Sequence, residues 1–249
     1  GLPSPLGGAI MQKVFDRPIL FGHRGCSYDH PENTLASFKA CLDMKIDGIE
    51  LDVQKCKSGE LVVFHDFDLK RIAGIDRRID ELDYQELKRI DVGDGQHIPL
   101  LEEVLDLCRD TVLYDIEMKA EGTANLGLEA AVLALLETKS LKSRTLLSSF
   151  NPISLLRFKR ISKNSIPTAL IYSDSPSVPK ILRHGQGRHL VRPTYLKPPK
   201  EQFDQARAWN YQLCTWTVDD RDEAASLLER GAKGIISNNP KALLALFNA

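Results

Sequence analysis

The sequence predicts an α/β protein of the TIM (β/α)8 barrel class with a small insertion after its third strand. Three observations predict it. Short β-type runs alternate with longer runs of helical apolar spacing, eight or nine times in about 240 residues, which implies parallel strands joined by right-handed crossovers. The length of 249 residues matches the roughly 250 typical of a closed eight-stranded barrel. No GxGxxG or GxxxxGK(S/T) follows the first strand, which counts against the competing architecture, an open doubly wound sheet.

The elements follow in order. A strand over 19–23 precedes a helix over 33–44, in which Leu35, Phe38 and Leu42 recur at helical spacing. A strand over 48–53 leads through Lys57-Ser58-Gly59-Glu60, a hairpin-type turn, to a strand over 61–65. Residues 66–99 are polar and weakly periodic apart from a short helical piece over 83–90, and read as the insertion. The alternation then becomes regular: helix 100–109, strand 112–118, helix 126–138, strand 145–150, helix 152–161, strand 168–172 and helix 177–183. A weaker strand over 189–195, helix 200–209, strand 212–218, helix 221–230 and strand 234–236 follow. The helix over 240–247 closes the chain, with Pro240 in its first turn, where no N–H is needed. No repeat or linker divides 11–249, which reads as one domain. Residues 1–10 lack a basic start and an apolar run, so they are no secretory signal; they read as a foreign leader before a natural start at Met11.

Composition narrows the function classes. Hydrophobic residues make up 43% and charged residues 27%, as in ordinary globular chains, and the net charge of −1 provides no global field for nucleic acid or anionic membrane. No run approaches the roughly 18 apolar residues of a membrane span. The five cysteines are odd in number, widely spread and without a CxxC pair. They read as small buried hydrophobes in a reducing, cytoplasmic setting rather than as a disulfide framework or zinc site. The expected partner is therefore a small molecule.

The chemistry concentrates at strand ends. In Ile49-Glu50-Leu51-Asp52-Val53, alternation puts the apolar residues on one face and both carboxylates on the other. In a barrel the apolar face meets the helices, so Glu50 and Asp52 point inward. Tyr114-Asp115-Ile116-Glu117-Met118-Lys119 repeats the arrangement. Carboxylates inside a parallel sheet, normally buried on both faces, need a positive partner. Three of them near the C-terminal mouth suggest one hard divalent cation, Mg2+ or Ca2+. Adding Arg24 and Lys119 leaves a slight positive excess, suited to a monoanion such as a phosphodiester. His23-Arg24-Gly25 ends the first strand and His65-Asp66 the third, where barrels deliver catalytic groups. Two histidines there can act as base and acid. Arg24 offers a planar fork for phosphate oxygens, and Gly25 would let backbone and ligand come close. His30, His97, His184 and His189 lie in polar stretches and read as surface or loop residues.

His23-Arg24-Gly25, Pro31-Glu32-Asn33-Thr34, Glu50-Leu51-Asp52-Val53, His65-Asp66, Glu117-Met118-Lys119 and Thr215-Trp216-Thr217-Val218 stand in this order along the chain. In that order the set resembles the glycerophosphodiester phosphodiesterases, over about Ile19 to Leu246. The resemblance implies an α/β barrel that uses a divalent cation to hydrolyse glycerophosphodiesters to sn-glycerol 3-phosphate and an alcohol. It implies metal ligation by Glu50, Asp52 and Glu117 and an acid/base pair of His23 and His65. Arg24 and Lys119 would meet the phosphate, and Trp216 would lie beside the glycerol. Glu32 would pair with Arg24 and Asn33 would orient a catalytic group, completing the substrate-binding set. Pro31-Glu32-Asn33-Thr34 also reads simply as a helix cap on Asn33 or Thr34. One departure is Ser237-Asn238-Asn239-Pro240, where the family commonly has Thr-Asp before a proline. Some relatives use the histidine at the His65 position as a metal ligand, a role that sequence does not separate from general acid. Two further readings use the same site: a lysophospholipase D-like or cyclising lipid phosphodiesterase, which needs an apolar entrance, and a phosphate-binding barrel without hydrolysis.

Overall fold

A computed structural model of the chain describes residues 16–248; the expected leader and Met11 lie outside them. Eight parallel strands form a closed ring: β1 (Ile19–His23), β2 (Gly48–Lys55), β6 (Leu113–Met118), β7 (Thr145–Ser149), β8 (Thr168–Ile171), β9 (Tyr195–Lys197), β10 (Gln212–Trp216) and β11 (Gly234–Ser237). The ring closes because β1 pairs with both β11 and β2.

Period-2 alternation sorts the side chains. Leu20, Ile49, Leu51, Ile116, Leu147 and Leu196 point outward into the main core shared with the helices. Ile19, Phe21, Leu146, Tyr195, Cys214 and Ile236 fill the lower interior as a second apolar cluster. The inward positions nearer the C-terminal mouth are polar, and that is where the site lies.

The helices pack outside. Helix α1 (Leu35–Asp43) starts at Thr34, whose hydroxyl accepts from the backbone N–H of Ser37; the sequence left Asn33 and Thr34 as alternatives for this cap. Gly25 is required by the same helix. Its φ is +83°, and an added Cβ would lie 2.3 Å from Ser37 Oγ. The close approach that Gly25 makes here is to α1.

The third strand, β3 (Leu61–Val63), is not a stave. It pairs antiparallel with the upper end of β2. The five residues between them, 56–60, are far too few for a parallel crossover, which takes a dozen residues or more. His65 therefore reaches the mouth from a hairpin arm rather than from a barrel strand.

The insertion follows β3, as expected. It contains β4 (Asp68–Leu69), α2 (Lys70–Ala73), β5 (Ile75–Arg78) and α3 (Tyr84–Leu87). Its polar sequence hides a small core of its own, in which Leu69, Ile79, Leu82, Leu87 and Ile98 pack on Val62 and Phe64.

Helices α4 (Leu101–Cys108), α5 (Leu128–Thr138), α6 (Pro152–Ile161), α7 (Arg188–Val191), α8 (Phe203–Arg207), α9 (Arg221–Glu229) and α10 (Pro240–Leu243) complete the outer layer. Two expected elements differ. The helix over 177–183 is reduced to one 3-10 turn at Lys180–Leu182, directly after Pro179. The strand over 189–195 is displaced: 188–191 is helical, and β9 starts at Tyr195. Pro193 has no N–H for a central ladder, so pairing begins only after it. All five cysteines are free and buried. Among the described residues no helix is long and apolar enough to cross a membrane.

Candidate active site

The inward carboxylates of β2 and β6 lie side by side because Glu50 is in register with Asp115 and Asp52 with Glu117. Glu50, Asp52 and Glu117 each present an oxygen, all within 4.8 Å of one another. That spacing fits one cation with ligands at roughly 2.0–2.6 Å. Electrostatics point the same way. Burial, reinforced by Asp52, pushes the Glu50 carboxyl well above the usual carboxylate range. Burial also raises Glu117, against the pull of Lys119. Burial opposes ionisation of Asp52 as well, but His65, Arg24, Lys119 and the Asn33 amide hold its pKa down at about 2. Asp52 Oδ1 is buried without a hydrogen-bond partner. A divalent cation would satisfy that atom and offset the mutual repulsion, so the residues present fit one.

His23 is in register with Glu50. Its Nδ1 lies 2.6 Å from Asn238 Oδ1. Asp219 fixes which way the amide faces: it can only accept, and it does so from the Asn238 backbone N–H at 2.8 Å and from Nδ2 at 3.4 Å. The amide oxygen is left for His23 and for the Ser27 hydroxyl at 3.2 Å. The Nδ1 proton follows from that orientation, and Nε2 carries the lone pair, 3.7 Å from Glu50 Oε2. Burial, with the charge of Arg24, pulls the imidazole down to about 4. It is a neutral base at physiological pH.

His65 Nδ1 bonds Asp66 Oδ1 at 2.7 Å. Burial works against the Asp66 carboxylate, but bonds from Arg71 and His65 hold its pKa at about 2. Arg71, in α2 of the insertion, also reaches Glu32 at 2.5 Å, and Glu32 in turn receives Arg24 Nη1 at 2.8 Å. Asn33 donates from Nδ2 to Asp52 Oδ2 at 2.9 Å. Arg24 and Asn33 both hold positive φ, 57° and 54°, a backbone cost of about 1–3 kcal/mol each. The Arg24 backbone N–H thereby reaches Glu50 Oε2 at 3.1 Å.

One cavity of about 940 Å³ is lined by His23, Arg24, Glu50, His65, Glu117, Lys119 and Trp216. Asp52 is not on its wall, but its carboxylate lies within 4.8 Å of those of Glu50 and Glu117. Glu32 and Asn33 are not on its wall; their bonds hold Arg24 and Asp52 in place. Lys119 Nζ is 3.0 Å from Glu117 Oε2. Trp216 donates from Nε1 to the Lys197 carbonyl at 2.9 Å and sets its edge against Phe150, with ring centroids 6.1 Å apart. None of His30, His97, His184 and His189 lines the cavity.

Sequence reasoning missed Lys197. It projects into the barrel floor, 2% exposed, with Nζ 2.5 Å from Asp115 Oδ2 and 3.3 Å from Ser148 Oγ. Burial pulls its pKa down, but Asp115 and Glu50 win and raise it to about 12. The inward period of Tyr195 and Lys197 would have revealed it, had the strand been placed after Pro193.

A closed parallel barrel with acidic, basic and imidazole groups gathered at its mouth places the chain in the TIM-barrel class. The sequence model of the "Glycerophosphoryl diester phosphodiesterase family" matches residues 23–242, and the chain belongs to that family. It is 30% identical over 238 residues to a glycerophosphodiester phosphodiesterase of Caldanaerobacter subterraneus subsp. tengcongensis, covering 92% of this chain and 98% of that one. A protein of the same name from Bacillus altitudinis is 32% identical over 235 residues, covering 89% and 94%. The solved glycerophosphodiester phosphodiesterase of Thermotoga maritima superposes with a TM-score of 0.70 at 26% identity, covering 92% and 98%. A phosphodiesterase from Oleispira antarctica in complex with the product sn-glycerol-3-phosphate shares the fold, with a TM-score of 0.79 at 24% identity, covering 93% and 97%.

Proposed function

We propose that this chain hydrolyses glycerophosphodiesters to sn-glycerol 3-phosphate and an alcohol, with the help of one divalent cation, Mg2+ or Ca2+. The observation that carries the reading is the convergence of the Glu50, Asp52 and Glu117 oxygens at the cavity that His23, Glu50 and Glu117 line. These three would hold the cation, which when bound acts as a Lewis acid on the phosphate. Arg24 and Lys119, both on the cavity wall, offset the negative charge that builds on the phosphoryl oxygens. His23 Nε2 takes a proton from the nucleophile. His65, oriented through Nδ1 by Asp66, protonates the leaving alkoxide. Trp216 borders the glycerol moiety. The five buried free thiols fit a reducing compartment, and we place the protein in the cytoplasm.

The test is release of sn-glycerol 3-phosphate from glycerophosphocholine with Mg2+ or Ca2+. Turnover that stops on chelation and returns with added cation supports the reading. Turnover indifferent to chelator removes the metal. A cyclic phosphate product makes the glycerol hydroxyl the nucleophile. Tight phosphate binding without turnover makes the barrel a binding module.

The His23–Asn238 bond gives a pH prediction. The base works above its pKa and fails as pH falls through it. Asn238→Asp sets a carboxylate against Nδ1–H, favours the imidazolium and moves the acid limb of kcat/KM to higher pH. An unmoved limb would show that Asn238 does not govern this imidazole.

A further inference from the structure

Arg24 and His65 come from separate segments, and the backbone of each is fixed on its own. The Arg24 carbonyl accepts from the Asn33 N–H at 2.9 Å and from the Ser37 hydroxyl at 3.0 Å. Gln54 of β2, itself buried, donates from Nε2 to the Phe64 and Asp66 carbonyls at 2.9 and 2.8 Å, which clamps the chain on both sides of His65. One side chain bridges the two segments. Arg71, in α2 of the insertion, gives Nε and Nη2 to the two oxygens of Asp66 at 2.9 and 3.0 Å. It gives Nη2 and Nη1 to the two oxygens of Glu32 at 2.5 and 3.3 Å. One oxygen of each carboxylate is shared: Asp66 Oδ1 also meets His65 Nδ1 at 2.7 Å, and Glu32 Oε2 also receives Arg24 Nη1 at 2.8 Å. An unbroken chain of bonds therefore runs from Arg24 through Glu32, Arg71 and Asp66 to His65. Both its ends line the cavity, and Arg71 does not.

From this geometry we infer that Arg71 is a positioning residue, which sets the phosphate-binding guanidinium and the imidazole acid at one fixed spacing. This rests on the proposed hydrolysis and adds to it a residue off the cavity wall. Only a planar fork holds two carboxylates by two bonds each; an ammonium is a point charge. Without the fork, Glu32 and Asp66 repel across the gap, and each carries its own partner out of line. The fold does not need the bridge, because both backbones are anchored elsewhere and α2 is held by the buried Leu69 in the small core of the insertion.

The experiment compares two esters of glycerol phosphate, glycerophosphocholine and the p-nitrophenyl ester, with the full chain and Mg2+ or Ca2+. The choline alkoxide needs a proton from His65; nitrophenolate leaves without one. The first readout is the ratio of the two kcat/KM values, choline ester over nitrophenyl ester, within each preparation, so a loss of folded protein cancels. In Arg71→Ala this ratio falls about 10- to 100-fold, the scale of a misplacement of roughly 1 Å. The second readout is inhibition by sn-glycerol 3-phosphate, whose inhibition constant rises about tenfold once Arg24 is no longer aimed at the phosphate. Arg71→Lys keeps the charge, loses the fork and stays near the alanine values. An unmoved ratio, even beside lower rates, leaves Arg71 a purely structural tie and overturns the inference, as does an unmoved inhibition constant. Recovery of both by lysine assigns the effect to charge alone and also overturns it. Those outcomes leave the proposed hydrolysis standing; a wild-type chain that releases neither choline nor nitrophenolate overturns both.

Discussion

His23→Ala lowers kcat/KM for glycerophosphocholine by roughly 10²–10⁴-fold, the usual worth of a general base or acid, while leaving the barrel folded. The geometry explains why the loss is catalytic. The Asn238 amide, itself locked by Asp219, pins the proton on Nδ1, so Nε2 is a lone pair 3.7 Å from Glu50 Oε2. Burial keeps the ring neutral, so no deprotonation precedes its use. Alanine removes the base without leaving a buried charge. His65→Ala is expected to fall on the same scale, and more steeply for substrates with poor leaving alcohols, because those depend on the acid. Steady-state kinetics beside circular dichroism check both. A folded His23→Ala enzyme with wild-type turnover would exclude the ring as base.

Lys197→Met costs about 3–5 kcal/mol of stability, the usual penalty for stripping one partner from a buried ion pair. Asp115 is fully buried and keeps only the Ser148 hydroxyl once the ammonium is gone. Glu50 and Glu117 also lose a cation that favours their charged forms, which adds to the cost of the substitution. Lys197→Met/Asp115→Asn removes both charges and recovers much of the loss. Urea unfolding of the three proteins measures this. Equal midpoints for wild type and Lys197→Met would show that water already solvates the barrel floor.

Much of this was legible in the sequence because strands advertise their two faces. Ile49, Leu51 and Val53 against Glu50 and Asp52 fixed an outer and an inner side, and the same alternation on β6 brought Glu117 to the same place. Helix α1 was legible from Leu35, Phe38 and Leu42. Where local pattern and tertiary role part, the reading failed. The run around Val191 and Arg192 resembles a strand, yet Pro193 delays pairing until Tyr195, and Lys197 was lost with that shift. Leu61–Val63 is strand-like in composition, but composition alone does not say that it pairs antiparallel outside the ring. Apart from its short helical piece over 83–90 the insertion looked only weakly periodic because its apolar residues are spaced irregularly, and they meet only when the chain folds back on Val62 and Phe64. Asn238 is informative only with its partner, 215 residues away in the chain.

The double grip of Arg71 has an evolutionary side. The excursion over 66–99 resembles a cassette that relatives could trade freely, because it sits outside the ring of staves. One guanidinium from that excursion nevertheless ties Glu32, the carboxylate behind Arg24, to Asp66, the carboxylate behind His65. A chimera that imports a foreign excursion replaces Asp66 together with Arg71, and without such a bidentate cation would leave Glu32 untied as well. Recombination across this boundary is therefore constrained by one arginine's chemistry more than by the length of the exchanged piece.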